Sequence, residues 1–190
     1  YISFRLMTRL LYRPGGLIYD YSDYYFFHAI AELSNQGYYP FIHYWMEYPP
    51  LFPWLNVGVY RLSLLIPLWI EHRFWFYTLL SLATLPFEIG NLTVLYLIAL
   101  ELYDQAKALR CAWIYACLFT PVYVWTGWFD NIPLFFLLLA LYSLLRQRGR
   151  LAGLVTGLGF MTKVTPAILL PLGLRSVSYT HLTLPTKRIV

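Results

Sequence analysis

Four ionisable residues stand where chemistry, not simple solvation, could explain them: Asp23, Glu47, Asp130 and Lys163. Asp23 heads a predicted short helix and is followed by Tyr24, Tyr25, Phe26 and Phe27. A carboxylate there complements the helix dipole or accepts a proton from a substrate hydroxyl; position alone favours the first. His28 lies five residues on, on a different helical face, so no Asp–His dyad is implied. Glu47-Tyr48-Pro49-Pro50 lies between a polar loop and an apolar segment, and its prolines stiffen the chain. His43 and Glu47 share a face if that stretch is helical, but no third ligand has metal-site spacing. Asp130, in Trp128-Phe129-Asp130-Asn131, is either a solvated turn residue or a binding carboxylate. Lys163 lies inside an apolar stretch, thirteen residues beyond Arg150. As one helix that is about 20 Å, in the outer half of a ~30 Å hydrocarbon core. A cation at that depth either snorkels to the interface or requires an anionic partner.

The elements that carry these residues are membrane helices. Of the 190 residues, 59% are hydrophobic and 12% charged, against about a quarter charged in a soluble domain. Such a chain cannot clothe a globule in polar side chains, and lipid must face most of it. The net charge of +5 comes from short clusters such as Arg146, Arg148 and Arg150. These mark cytoplasmic ends of membrane helices and lack the basic face of a nucleic-acid binder. Cys111 and Cys117 fall on different faces of one predicted helix and form no natural disulfide pair.

The predicted fold is an all-α polytopic membrane helix bundle, with a short outer-face helix over Asp20 to Gln36. Ser22 can cap that helix, Gly37 ends it, and Tyr25, Phe26, Ala29, Ile30 and Leu33 recur at helical spacing. Residues 1–50 read as an outer loop after a missing first membrane helix, since Arg5, Arg9 and Arg13 are too charged to span. Apolar segments follow at 51–70, 74–103, 108–126, 132–146 and 151–174. Lys107 with Arg110, and the Arg146 cluster, anchor the cytoplasmic ends. The hairpin tip at Asp130 therefore faces outside. Segment 51–70 contains two prolines, Asn56 and Arg61 and reads as re-entrant or interfacial; the alternative divides 74–103 at Pro86. On this topology Asp20, Asp23, Glu32, Glu47, Glu71 and Asp130 gather on the outer face. The run Val177 to Lys187 resembles translated sequencing-adapter sequence, and 176–190 is expected to be a non-native tail.

Ser22-Asp23-Tyr24-Tyr25, Gly37-Tyr38-Tyr39-Pro40 and Glu47-Tyr48-Pro49-Pro50-Leu51 together resemble the first outer loop of GT-C-fold glycosyltransferases. The pattern is similar to that of family 87, and more distantly to GPI mannosyltransferases. Trp128-Phe129-Asp130-Asn131-Ile132-Pro133 resembles a Gly-Gln-Phe-Asp-x-x-Pro stretch, with Trp128 where Gln is frequent. Ala152 to Leu158 with Thr162-Lys163-Val164-Thr165-Pro166 resembles the family's glycine-rich helix. The resemblance spans Asp20 to Leu174.

The resemblance implies a multi-pass enzyme of a bacterial plasma membrane. It would move a sugar, mannose by analogy, from a polyprenyl-phosphate donor to a hydroxyl of a lipid or glycan acceptor outside. Asp23 is then the expected general base, with Asp20 in reserve. Lys163, helped by Arg61 or Arg73, is expected at the leaving phosphate, which needs positive charge and not an acid. Glu47 and Asp130 are expected to position acceptor hydroxyls, and Tyr48 among the aromatics to stack on sugar. No cofactor is named, and a divalent metal stays open. The rival reading is a transporter, for which Glu88 and Lys163 would pair at the midplane; a structural membrane subunit is the third.

Overall fold

The computed structural model describes residues 1–11, 22–67 and 72–171. Asp20, Glu71 and the expected tail 176–190 lie outside the described residues. The fold is all-α: eight α-helices and two short 3-10 turns, with no strand among the described residues. The α-helices are α1 (Ile2–Leu11), α2 (Ser22–Glu32), α3 (Leu51–Ser63), α4 (His72–Leu102), α5 (Gln105–Cys117), α6 (Phe119–Gly127), α7 (Asn131–Leu145) and α8 (Gly149–Phe160).

Helix α4 is the mast of the bundle. It runs unbroken through Pro86 for 31 residues, about 46 Å at 1.5 Å per residue. That is longer than a ~30 Å hydrocarbon core is thick. The start of α7 divides it. The Asn131 side chain donates to the Thr84 carbonyl (3.0 Å), and Asn91 donates to the Asn131 carbonyl (2.9 Å). Thr84 lies about 18 Å down α4. Below that level α7 runs antiparallel to α4, and Arg146 meets Glu101 at 3.0 Å at the far end. Above it, α2 and α3 wrap the free first third of α4, where Tyr24, Phe27, Tyr60, Phe76 and Tyr77 form one buried aromatic cluster.

The other helices are short for reasons in their residues. Helices α5 and α6 meet at a 51° bend around Leu118, two residues before the Thr120-Pro121 pair that cannot continue a straight ladder. Helix α7 has fifteen residues, all apolar beyond Asn131 except Ser143. Helix α8 stops at Phe160, and a 3-10 turn, Thr165–Leu169, follows. The expected helical run through Lys163 is therefore broken. Lys163 sits in the gap between α8 and the turn, presented by a helix end and not by a helix flank.

One local reading changed and another gained detail. The buried face of α2 is Tyr24, Phe27, His28 and Ala31, while Tyr25 and Phe26 are exposed. Four successive aromatics make every face apolar, so spacing could not choose among them. The segment with Arg5 and Arg9 is a helix whose two arginines are buried against α4. What reads as too much charge is matched internally, because Arg5 pairs with Glu88 at 2.9 Å.

Candidate functional site

The site forms at the level where α7 begins, from four pieces of chain remote in sequence. Asp23 is in the first turn of α2. Glu47 and Tyr48 close the aromatic loop before α3, Asp130 is the residue before α7, and Lys163 is in the break after α8. The backbone N–H of Leu51 donates to the Met161 carbonyl at 3.0 Å and ties the start of α3 to that break.

Aromatic packing sets the frame. The Phe129 ring is 1% exposed and stacks on Phe52 with centroids 3.7 Å apart. Tyr48 forms a T-shaped pair with it at 4.9 Å, and Phe27 another at 5.6 Å. One ring thus joins α2, the loop, α3 and the α6–α7 tip. Tyr24, next to Asp23, donates to the Trp125 carbonyl (3.2 Å), and Trp125 donates to the Ser81 carbonyl (2.9 Å). Asp23 therefore rides on a buried residue tied to two other helices.

Charge gathers on this frame. The Lys163 ammonium bonds Asp130 Oδ1, with both side chains about one-third to two-fifths exposed. It also lies 5.5 Å from the Phe129 centroid, a cation–π distance. The Tyr48 phenol is pushed well above its ordinary range, first by burial, then by its hydrogen bond to Glu47 and by the charges of Glu47, Asp23 and Asp130. The same hydroxyl therefore feels three carboxylates from three separate chain segments. Asp23, Glu47, Tyr48, Asp130 and Lys163 are brought together.

Arg61 is not. It lies about 15 Å along α3 from Leu51, and its guanidinium holds the Ser34 carbonyl and approaches Tyr39 OH at 3.4 Å. Arg73 lies over the Tyr25 ring at 5.1 Å on the exposed side of α2. His43 Nδ1 accepts from the Tyr39 N–H (3.0 Å). Among the described residues no group of three or more His, Cys, Asp or Glu could hold a metal ion.

Beside Asp130 opens a cavity of about 540 Å³ between α6 and α7, walled by Pro121, Val124, Leu134 and Leu137. Its inner wall carries Glu88 and Tyr115. Glu88 is 1% exposed, and accepts from Arg5, Tyr1 OH (2.6 Å) and Tyr115 OH (3.2 Å). Sequence reading missed this knot, because nothing in the spacing of residues 5 and 88 relates them. It also replaces the Glu88–Lys163 pair of the transporter reading: each has another partner.

The family model of glycosyltransferase family 87 matches residues 45–182. No curated protein and no solved structure matches the chain.

Proposed function

Because the chain belongs to glycosyltransferase family 87 and is thereby a membrane glycosyltransferase, we propose that it transfers a hexose, mannose by resemblance, from a polyprenyl-phosphate donor to an acceptor hydroxyl at the outer membrane face. The observation that carries this reading is the convergence of Asp23, Glu47 and Asp130 around Tyr48, with Lys163 paired to Asp130, which lines an apolar cavity.

Each residue has a role its chemistry suits. Asp23 takes the proton of the acceptor hydroxyl as oxygen attacks the anomeric carbon; Asp20 stays a reserve. The bond from that carbon to the phosphate oxygen breaks, and Lys163 offsets the charge left on the polyprenyl phosphate. Glu47 and Asp130 orient acceptor hydroxyls, while Tyr48 and its aromatic neighbours face the sugar. The cavity supports a lipid-borne donor: its apolar walls suit the first isoprene units, with the phosphate beside Asp130, whose partner is Lys163. Arg61 contributes from a distance, by holding the 3-10 turn after α2 to α3.

The placement is a multi-pass one. Arg146 and Arg148 mark the cytoplasmic end, so the carboxylates face outside with the first third of α4. The test is transfer by the full-length protein in lipid, supplied with a radiolabelled polyprenyl-phosphate hexose and candidate acceptors. Labelled product with wild type and at least about a hundredfold less with Asp23→Asn, at equal folded yield, supports the reading. Equal turnover in that variant removes Asp23 as base, and uptake of label without transfer favours a transporter.

A further inference from the structure

The cation that a donor phosphate needs is already occupied. Lys163 is held by Asp130 and by the face of Phe129, two neighbours on one hairpin tip. These partners differ in kind. Phe129 is locked between Phe52 and Tyr48 and almost fully buried. Asp130 is two-fifths exposed, lines the cavity, and makes no side-chain cap on α7. The ring therefore fixes where the ammonium sits, while the carboxylate is free to leave. A half-exposed ion pair is weakly held, whereas a phosphate in the same place forms charge-assisted bonds at least as strong.

We propose that Asp130 is an internal stand-in for the donor phosphate, displaced from Lys163 when the donor binds and thereby released toward the acceptor. This rests on the reading of Lys163 as the phosphate site. A carboxylate and a phosphate on one ammonium repel each other, so the arriving phosphate exchanges with the carboxylate. Asp130 then stands among Glu47, Tyr48 and Asp23, where it bonds an acceptor hydroxyl. Donor binding thus completes the acceptor site, and the order is donor first. By linkage, acceptor and donor strengthen each other's binding by the same factor.

The experiment uses the full-length protein in phospholipid nanodiscs and sugar-free polyprenyl phosphate as probe, with affinity read by calorimetry or tryptophan fluorescence. Asp130→Asn is expected to bind the probe about three- to fivefold more tightly than wild type, the scale of one half-exposed ion pair. Asp130→Ser provides the same comparison if the Asn variant does not fold. In a Lys163→Met background, Asp130→Asn is expected to change affinity by less than about 1.5-fold, because the competition has no object. Unchanged or weaker binding in Asp130→Asn overturns the exchange, and so does an equal gain without Lys163, which would indicate general repulsion. Failure of wild type and every variant to bind the probe is a separate result: it removes the polyprenyl-phosphate reading, and the exchange with it.

Discussion

Lys163 and Asp130, 33 positions apart, form an ion pair that joins the break after α8 to the tip before α7. Neither residue is on a helix flank. Both are placed by helix ends, which lets a charged pair sit at the rim of an apolar bundle without crossing it.

The first consequence concerns that cation. Lys163→Met should raise the donor KM by about tenfold or more, with a further fall in kcat, since the phosphate carries most charge as it leaves. Lys163→Arg should retain part of both. Steady-state transfer against donor concentration reads the split, and a kcat and KM equal to wild type would release Lys163 from the phosphate.

Asp23→Asn removes the proposed proton acceptor and keeps the shape. Transfer should fall by about 10²- to 10⁴-fold, while donor affinity stays within about twofold of wild type. Equal losses in probe binding and turnover would instead indicate a positioning role.

Tyr48 titrates abnormally high because burial and three carboxylates disfavour its anion. Its raised folded value means the unfolded chain ionises first, above pH about 10. Stability from this residue is therefore complete below that pH and lost as pH rises past it. Tyr48→Phe should unfold less readily than wild type at pH 11, relative to their difference at pH 8. Circular dichroism melts at the two pH values make the comparison.

Gly159 is where α8 crosses its neighbours closely. A Cβ there would lie 2.7 Å from Phe136 Cβ and 2.8 Å from Pro166 Cβ, neither of which is a flexible side-chain end. Gly159→Ala should destabilise by about 1–3 kcal/mol and shift the break that presents Lys163. Thermal unfolding and donor KM should move together.

The buried knot predicts a rescue. Arg5→Met leaves Glu88 without its guanidinium in an apolar setting and should cost about 3–5 kcal/mol. Arg5→Met with Glu88→Met should recover most of that loss. Unfolding in detergent of the two variants and wild type measures it; a double variant no better than the single would mean the pair contributes through shape alone.

Much of this was legible in the chain because it rests on local composition. Long uninterrupted apolar runs, without the alternation of a barrel strand, favour helices, in which each backbone group is satisfied within its own segment. Gly37 adopts φ 83° and ends the α2 region, as a residue without a Cβ at that place predicts. Asp23, Glu47, Asp130 and Lys163 could be selected by residue type, since carboxylates and a lysine within apolar surroundings are costly unless used.

What the residues alone determined, then, is the all-α fold, the short helix that begins at Ser22 and the residue types worth attention. Tertiary structure alone decided which of them meet. Lys163 pairs with Asp130 and Glu88 with Arg5, not with each other; Arg61 sits apart, and Phe129 becomes the hub. The physical reason is range: helical periodicity reaches about four residues along the chain, whereas these partners are separated by 33 and 83 positions. Their meeting depends on how far α7 sits down α4 and where α8 breaks, both of which follow from packing across helices.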